Sequence, residues 1–389
     1  MAVGGLRRRR WGLLWRTALL GVLAVAPWLE GGDADWRSLA FQLRGPRRPP
    51  PELVILDVDE ASLSVAERFS PEEIATSALL RRMVAGWPWP RALQAELAAL
   101  VLERGASQVV FTLLYPQPSR FGPADDQAFL ERLRPWRERV VLPAGYGIEQ
   151  DSASNLELLQ LRRPIYGLGP VGLDALLEGP GGTIEAVPGR RWQQQALAGF
   201  PLPHPPALAF AAARRPPPLF NLGIDFPGPA GSVPVVSAWE VLLQRPGFWR
   251  DRIVVLGRTP SRLADRRPSP FGALSSVELQ AAALATVLAG GGFRPLPPPG
   301  TVALLLGWAA LSLVLLARPA QAAGTAVTVI ALAAAGLGGT TLAWLAGWWL
   351  PVTALVAAPL AVAPGPARAL ELGGQTWFVS PPWKVEFRN

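Results

Sequence analysis

Leu53-Val54-Ile55-Leu56-Asp57-Val58-Asp59 is the stretch that decides the fold class. It is apolar, rich in β-branched residues and too short for a helix. That combination marks a strand covered on both faces, as in a parallel sheet between helix layers. Asp57 and Asp59 close the run two residues apart, so both carboxylates lie on one side at its carboxyl end. Downstream, Pro90 suits a helix start, and Leu93, Leu97, Leu100 and Val101 follow at helical spacing up to Gly105. Gln108–Leu114 reads as the next strand, Asp125–Leu133 as a helix and Arg139–Pro143 as a third strand. Leu219–Ile224 and Arg252–Gly257 also read as strands, with helices near Ser237–Gln244 and Ser276–Leu288. Strand–helix alternation predicts an α/β domain with a mostly parallel sheet. The Gly/Pro-interrupted stretch from Glu149 to Arg215 carries no assignable period, and no internal repeat is evident.

Composition removes several function classes. The 389 residues include no Cys, one His (His204) and one Lys (Lys384). Disulfides, zinc–thiolate sites and thiol nucleophiles are therefore excluded. A single Lys near the C-terminus leaves no P-loop, kinase ATP site or pyridoxal Schiff base. A lone His within Pro203-His204-Pro205 leaves little room for a metal cluster or a Ser-His-Asp triad. The net charge of +8 is not a nucleic-acid footprint. Residues 30–300 are nearly neutral, and the excess is the five arginines Arg7, Arg8, Arg9, Arg10 and Arg16 plus Arg318, Arg368, Lys384 and Arg388. These charges flank apolar runs, where Lys and Arg set membrane orientation.

Four transmembrane helices are predicted. Trp11–Leu29 nearly fills one span, read as an uncleaved signal anchor over a signal peptide cut after Ala26, because Pro27 follows at once. Residues 301–317 lack charge, and so do 319–367, which suit two further helices turning at Gly347-Trp348-Trp349-Leu350-Pro351. The expected segments are 1–10 cytoplasmic, 11–29 spanning, 30–296 extracytoplasmic, then spans at 301–317, 322–346 and 351–367, with a cytoplasmic tail at 368–389. An even number of spans places all three basic groups inside, as the positive-inside rule requires. This describes a multi-pass protein of the inner (plasma) membrane with its large domain outside. The proline clusters Pro46–Pro51 and Pro295–Pro299 read as stiff spacers.

Residues 33–296 resemble the CHASE class-two domain, an extracellular sensory module associated with cyclases and histidine kinases. The resemblance rests on Leu43-Arg44-Gly45-Pro46-Arg47, on Val54–Leu63, on Trp87-Pro88-Trp89-Pro90-Arg91 and on Gly122-Pro123-Ala124-Asp125-Asp126. It extends to Arg252–Gly257, Asp265, Ser269-Pro270-Phe271-Gly272 and Val277–Leu284. One span before the domain and three after it also resemble the family. Thr112 stands where the family commonly has Asp, and Gln280 where it often has His. A polar aspartate-glycine stretch usual in the family is not found around Gly181–Val187. Members commonly continue into a cyclase or kinase, whereas this sequence ends 22 residues after Ala367. The expectation is a sensor acting through a separate kinase or cyclase effector.

Seven residues are candidates for ligand binding. Asp57 and Asp59, with Asp265 or Glu278, suit a divalent cation or cationic ligand at the carboxyl edge of a parallel sheet. The competing reading is that they accept backbone N–H bonds or cap the next helix. Trp87, Trp89 and Arg91 present two indoles and a guanidinium. Their alternation with prolines reads equally as a rigid, core-packed helix entry. Gly167-Leu168-Gly169-Pro170-Val171-Gly172 matches a dinucleotide fingerprint, but it lacks the preceding strand and the acidic partner. The sequence thus predicts a non-enzymatic, membrane-anchored sensor of a small-molecule or envelope ligand, possible as a homo-oligomer, without cofactor or nucleic acid. The rivals are an exported metal-dependent hydrolase using Asp57 and Asp59, and an envelope docking or assembly protein.

Overall fold

The computed structural model describes residues 33–84, 86–150, 157–179, 181–198, 204–259, 266–316 and 322–362. The first predicted span, Asp265 and the C-terminal tail lie outside these residues.

The chain divides into two compact units, one of residues 31–296 with 343–350 and one that includes 297–342 and the residues from 351 onward. The first is built on the strands β1 (Leu53–Asp57), β2 (Gln108–Phe111), β3 (Val140–Gln150), β4 (Glu157–Arg162), β5 (Val171–Leu173), β6 (Val235–Ser237) and β7 (Ile253–Gly257). Their order is β4-β3-β2-β7-β1-β6, with β5 beside β3. Every pairing is parallel except β3 with β4. β1 therefore sits inside the sheet, and all five of its residues are buried.

Alternation along the strands explains both helix layers. Val54 and Leu56 of β1 face one core together with Val109, Phe111, Val254 and Leu256. That side is covered by α2 (Arg91–Glu103) through Leu93, Leu97 and Val101, and by α3 (Pro123–Leu133) through Phe129. Leu53 and Ile55 face the opposite core with Val110 and Val255. That side is covered by α4 (Leu208–Ala213) and α5 (Ser276–Leu288), with Phe41 from α1, the helix over 33–44. Each such burial of Leu, Ile or Val contributes about 2 kcal/mol, so a strand apolar on both sides is the stable solution here.

Several boundaries differ from expectation. Pro90 is the N-cap of α2 rather than its first helical residue. The expected helix over Ser237–Gln244 is a short 3-10 turn, Ala238–Leu242, and the expected strand over Leu219–Ile224 contracts to Leu222–Gly223. The stretch without a period holds β4, β5, the strand Ile184–Val187 and two short helices, none long enough to show one. Gly169, at φ +55°, lies where a Cβ would be 2.3 Å from the carbonyl oxygens of Arg137 and Val140. The Gly167–Gly172 loop thus serves close packing and feeds a strand, not the helix that a dinucleotide site requires.

Past the sheet come β8 (Arg294–Pro295), α6 (Pro298–Leu316), α7 (Ala322–Leu345), β9 (Trp348–Trp349) and α8 (Val352–Val362). Only α6 and α7, not four helices, are long and apolar enough among the described residues to cross a membrane, and most of their surface is exposed. The predicted fourth span is the 11-residue α8, interrupted by Pro359. Its described rise is about 17 Å, against a hydrocarbon core of about 30 Å. Within that unit the indole of Trp308 donates to the Leu355 carbonyl at 2.7 Å.

The predicted turn at Gly347–Pro351 does more than reverse the chain. β9 pairs in parallel with β8, Arg294 opposite Trp348 and Pro295 opposite Trp349. Phe293 stacks on Trp344 and on Trp349, with ring centroids 5.3 and 5.6 Å apart, and Phe41 meets Trp344 edge-on at 5.6 Å. Arg37 lies over the Trp349 ring and Arg44 over Phe41 and Trp344. The loop after α7 is thereby built into the α/β unit as an aromatic seat.

Candidate functional site

The carboxyl edge of the parallel sheet gathers the end of β1, the residues after β7 and the start of α5. Gly257 ends β7 opposite Asp57. A Cβ there would lie 2.2 Å from Thr112 Oγ1 and 2.8 Å from Val277 Cγ2, so only glycine lets α5 close onto this edge. The chain continues through Arg258 and Thr259. The Thr259 N–H donates to Asp57 Oδ1 at 2.8 Å, and the Thr259 hydroxyl lies 3.4 Å from Ser275 Oγ.

Three acids meet electrostatically here, but their bonding differs. Asp59 caps the short helix Glu60–Leu63: its Oδ1 accepts from the Ser62 N–H at 2.8 Å and the Ser62 hydroxyl at 2.7 Å. Its Oδ2 accepts from Ser237 Oγ. Glu278 completes a capping box with Ser275, accepting from its N–H at 2.9 Å and its hydroxyl at 2.8 Å. Glu278 Oε1 also accepts from the Gly231 N–H at 3.0 Å. Asp57 is 5% exposed, and its carboxylate accepts from both the backbone N–H and the side chain of Thr259. Burial, reinforced by the charges of Asp59 and Glu278 and opposed by Thr259, pushes the Asp57 carboxyl up to about 6. Asp57 is thus a buried acid whose bonds from Thr259 do not offset its burial and the like charges beside it.

The aromatic motif divides between two places. Trp89 is fully buried, its indole donating to the Met83 carbonyl at 3.2 Å. Arg91 is held in a closed network. It donates to Asp126 Oδ1 at 2.8 Å, to Tyr166 OH at 2.6 Å and to the Gln117 carbonyl at 2.6 Å. Asp125 accepts the N–H groups of Arg91 and Ala92 at 2.9 Å each, capping α2 from a neighbouring helix. The pair Asp125-Asp126 therefore serves Arg91 and its helix. Burial opposes ionisation of Asp126, but bonds from Tyr166 and Ser119 and the Arg91 charge hold its carboxyl below the usual range. Trp87 borders a cleft of about 320 Å³ that Arg91 and Tyr115 also line. The Arg258 guanidinium lies 5.1 Å over the Trp87 ring, tying Trp87 to the carboxyl edge.

Arg258 and Thr259 escaped sequence reasoning, although residues directly after a central strand are where such edges place function. Asp174 escaped as well. It is pushed up to about 6 by burial, and its Oδ1 accepts from Gln280 Nε2 at 2.5 Å. Gln280 is the position at which the resembling family often has His. Among the described residues no group of three or more His, Cys, Asp or Glu is arranged to hold a metal.

The edge, the Gly257 closure and the Arg91 network account for motifs spread over most of the first unit. The CHASE2 domain model matches residues 14–314. The chain belongs to the CHASE2 domain family. The CHASE2 domain is an extracellular sensory module and not a catalytic one, and its match here runs from before the described residues into α6. Comparisons with curated proteins and with solved structures give no match.

Proposed function

We propose that the chain is a membrane-anchored, extracytoplasmic input module that binds a small cationic ligand at the carboxyl edge of its sheet and passes the event to a signalling effector. The observation that carries the ligand chemistry is Asp57, a desolvated carboxylate that feels the charges of two further acids. A bound cation would offset the burial and like-charge costs that raise its proton affinity. Asp59, Glu278 and Trp87 frame the position, and Trp89 and Arg91 hold the wall behind Trp87. The segregation of Arg7–Arg10 and Arg318 from a near-neutral 30–296 supports the orientation. The seat around Trp344 and Trp349 supplies a physical link from the sheet unit to the end of α7. A ligand moves this link only by binding one of two states more tightly.

The test is a thermal-shift screen of the full chain with amines and divalent metals, run beside Asp57→Asn. A cation that raises the melting temperature of the parent but not of the variant supports the reading. Equal shifts in both would place binding elsewhere.

A further inference from the structure

A second cleft, of about 420 Å³, lies around β8 and β9. Its lining includes Arg47, Asp225, Gly290–Gly292, Arg294 and the chain from Trp344 to Trp348. Three observations give it a chemistry. Asp225 is already neutralised twice, by Arg44 at Oδ1 and by Arg47 at Oδ2, 3.2 Å away. Arg294 is exposed and forms no ion pair among the described residues, so the lining retains positive charge. One wall is bare backbone: a Cβ on Gly291 would meet nothing within 4 Å, and Gly290 and Gly292 hold φ of +65° and +105°. Guanidinium pairs beside an open backbone wall suit a phosphate, which arginine binds through two parallel N–H donors.

The depth of the cleft in the chain selects the source of that phosphate. Arg294 stands four residues before α6, and Leu345 is the last residue of α7. Among the described residues, these are the two helices long and apolar enough to cross a membrane. The lip carries Leu345 at 63% exposure and Trp348 at 40%. Apolar and indole groups beside arginines, at a helix end, are what the headgroup layer accommodates. We propose that this cleft binds the phosphate headgroup of an anionic membrane lipid, with Arg47 and Arg294 as its cationic contacts. The docking of the loop after α7 would then depend on the lipid that fills the cleft.

This inference rests on the membrane-anchored reading, and its test separates the two. The full chain is first washed on native membranes at alkaline pH; release would overturn the membrane reading itself. The retained chain is then extracted in mild detergent and titrated with phosphatidylglycerol, phosphatidylcholine or soluble glycerol phosphate, with melting temperature and native mass spectrometry as readouts. The expected result is stabilisation and retention of phosphatidylglycerol alone, weakened at least tenfold in Arg47→Gln/Arg294→Gln. Arg44 still holds Asp225 in that variant, so it folds, as its melt without lipid will show. Equal effects of the two lipids, unchanged affinity in the variant, or full stabilisation by glycerol phosphate would each overturn the site.

Discussion

The Arg91 network and the Asp57 edge are both buried polar clusters drawn from motifs of equal promise, yet their chemistry is opposite. Around Arg91, the guanidinium pairs with Asp126 and its other donors are engaged by Tyr166 and Gln117, so Asp126 is held below the usual carboxylate range. Around Asp57, the charges of Asp59 and Glu278 add to its burial, and none of the three acids has a basic ion-pair partner among the described residues. A satisfied cluster repays its burial within the fold. An unsatisfied one costs stability, which only something outside the fold can return.

That contrast can be broken by mutation. The largest effect is expected from Arg91→Ala, which leaves Asp126 and Tyr166 buried without their cation. It should cost about 3 kcal/mol in chemical denaturation, and Arg91→Lys should recover only part, having no planar fork. A neutral outcome would remove the structural reading of this cluster.

Next in size is Asp57→Asn, which keeps an acceptor for Thr259 and removes a buried charge. It should stabilise the protein by about 2 kcal/mol at pH 7.5. The pH dependence follows from the raised proton affinity. Between about 4 and 6 the folded state holds a proton that the unfolded state has lost, so the Asp57 contribution to stability falls as pH rises through that window. The Asp126 contribution has the opposite sign, being present above the ordinary carboxylate range and lost as pH falls. Melting curves of parent and Asp57→Asn should therefore coincide near pH 4 and separate towards pH 7; parallel curves would mean that Asp57 is not the buried acid described.

The smallest effect is expected from Asp59→Ala. Loss of a helix cap and of the Ser237 bond should cost about 1–2 kcal/mol, with little change in the pH window. A loss of cation response as large as that of Asp57→Asn would show that Asp59 binds ligand directly.

Much of the sheet was legible because β1, β2 and β7 are short, apolar on both faces and separated by helical periods. β5 and Asp174 were not, since a three-residue strand within a Gly/Pro-rich stretch carries no period. Within the site, Ser275-Ser276-Val277-Glu278 has the spacing of a capping box, a local signal that the reading of Glu278 as a ligand contact passed over. The engagement of Asp59 by Ser237 was not legible, because β6 reaches β1 across 178 residues of sequence. Trp348 and Trp349 read as interfacial anchors, and their seat on Phe293 depends on a two-residue strand pairing that no local pattern announces.

The account stands on the placement of the sheet unit outside the cell. The absence of Cys makes this directly measurable, because a single introduced thiol is the only one to react. Arg68→Cys, on an exposed position of the first unit, should be labelled in intact spheroplasts by a membrane-impermeant maleimide, while Arg9→Cys should react only after permeabilisation. The reverse pattern, with Arg68→Cys protected until the membrane is opened, would contradict the extracytoplasmic placement and the sensing role with it.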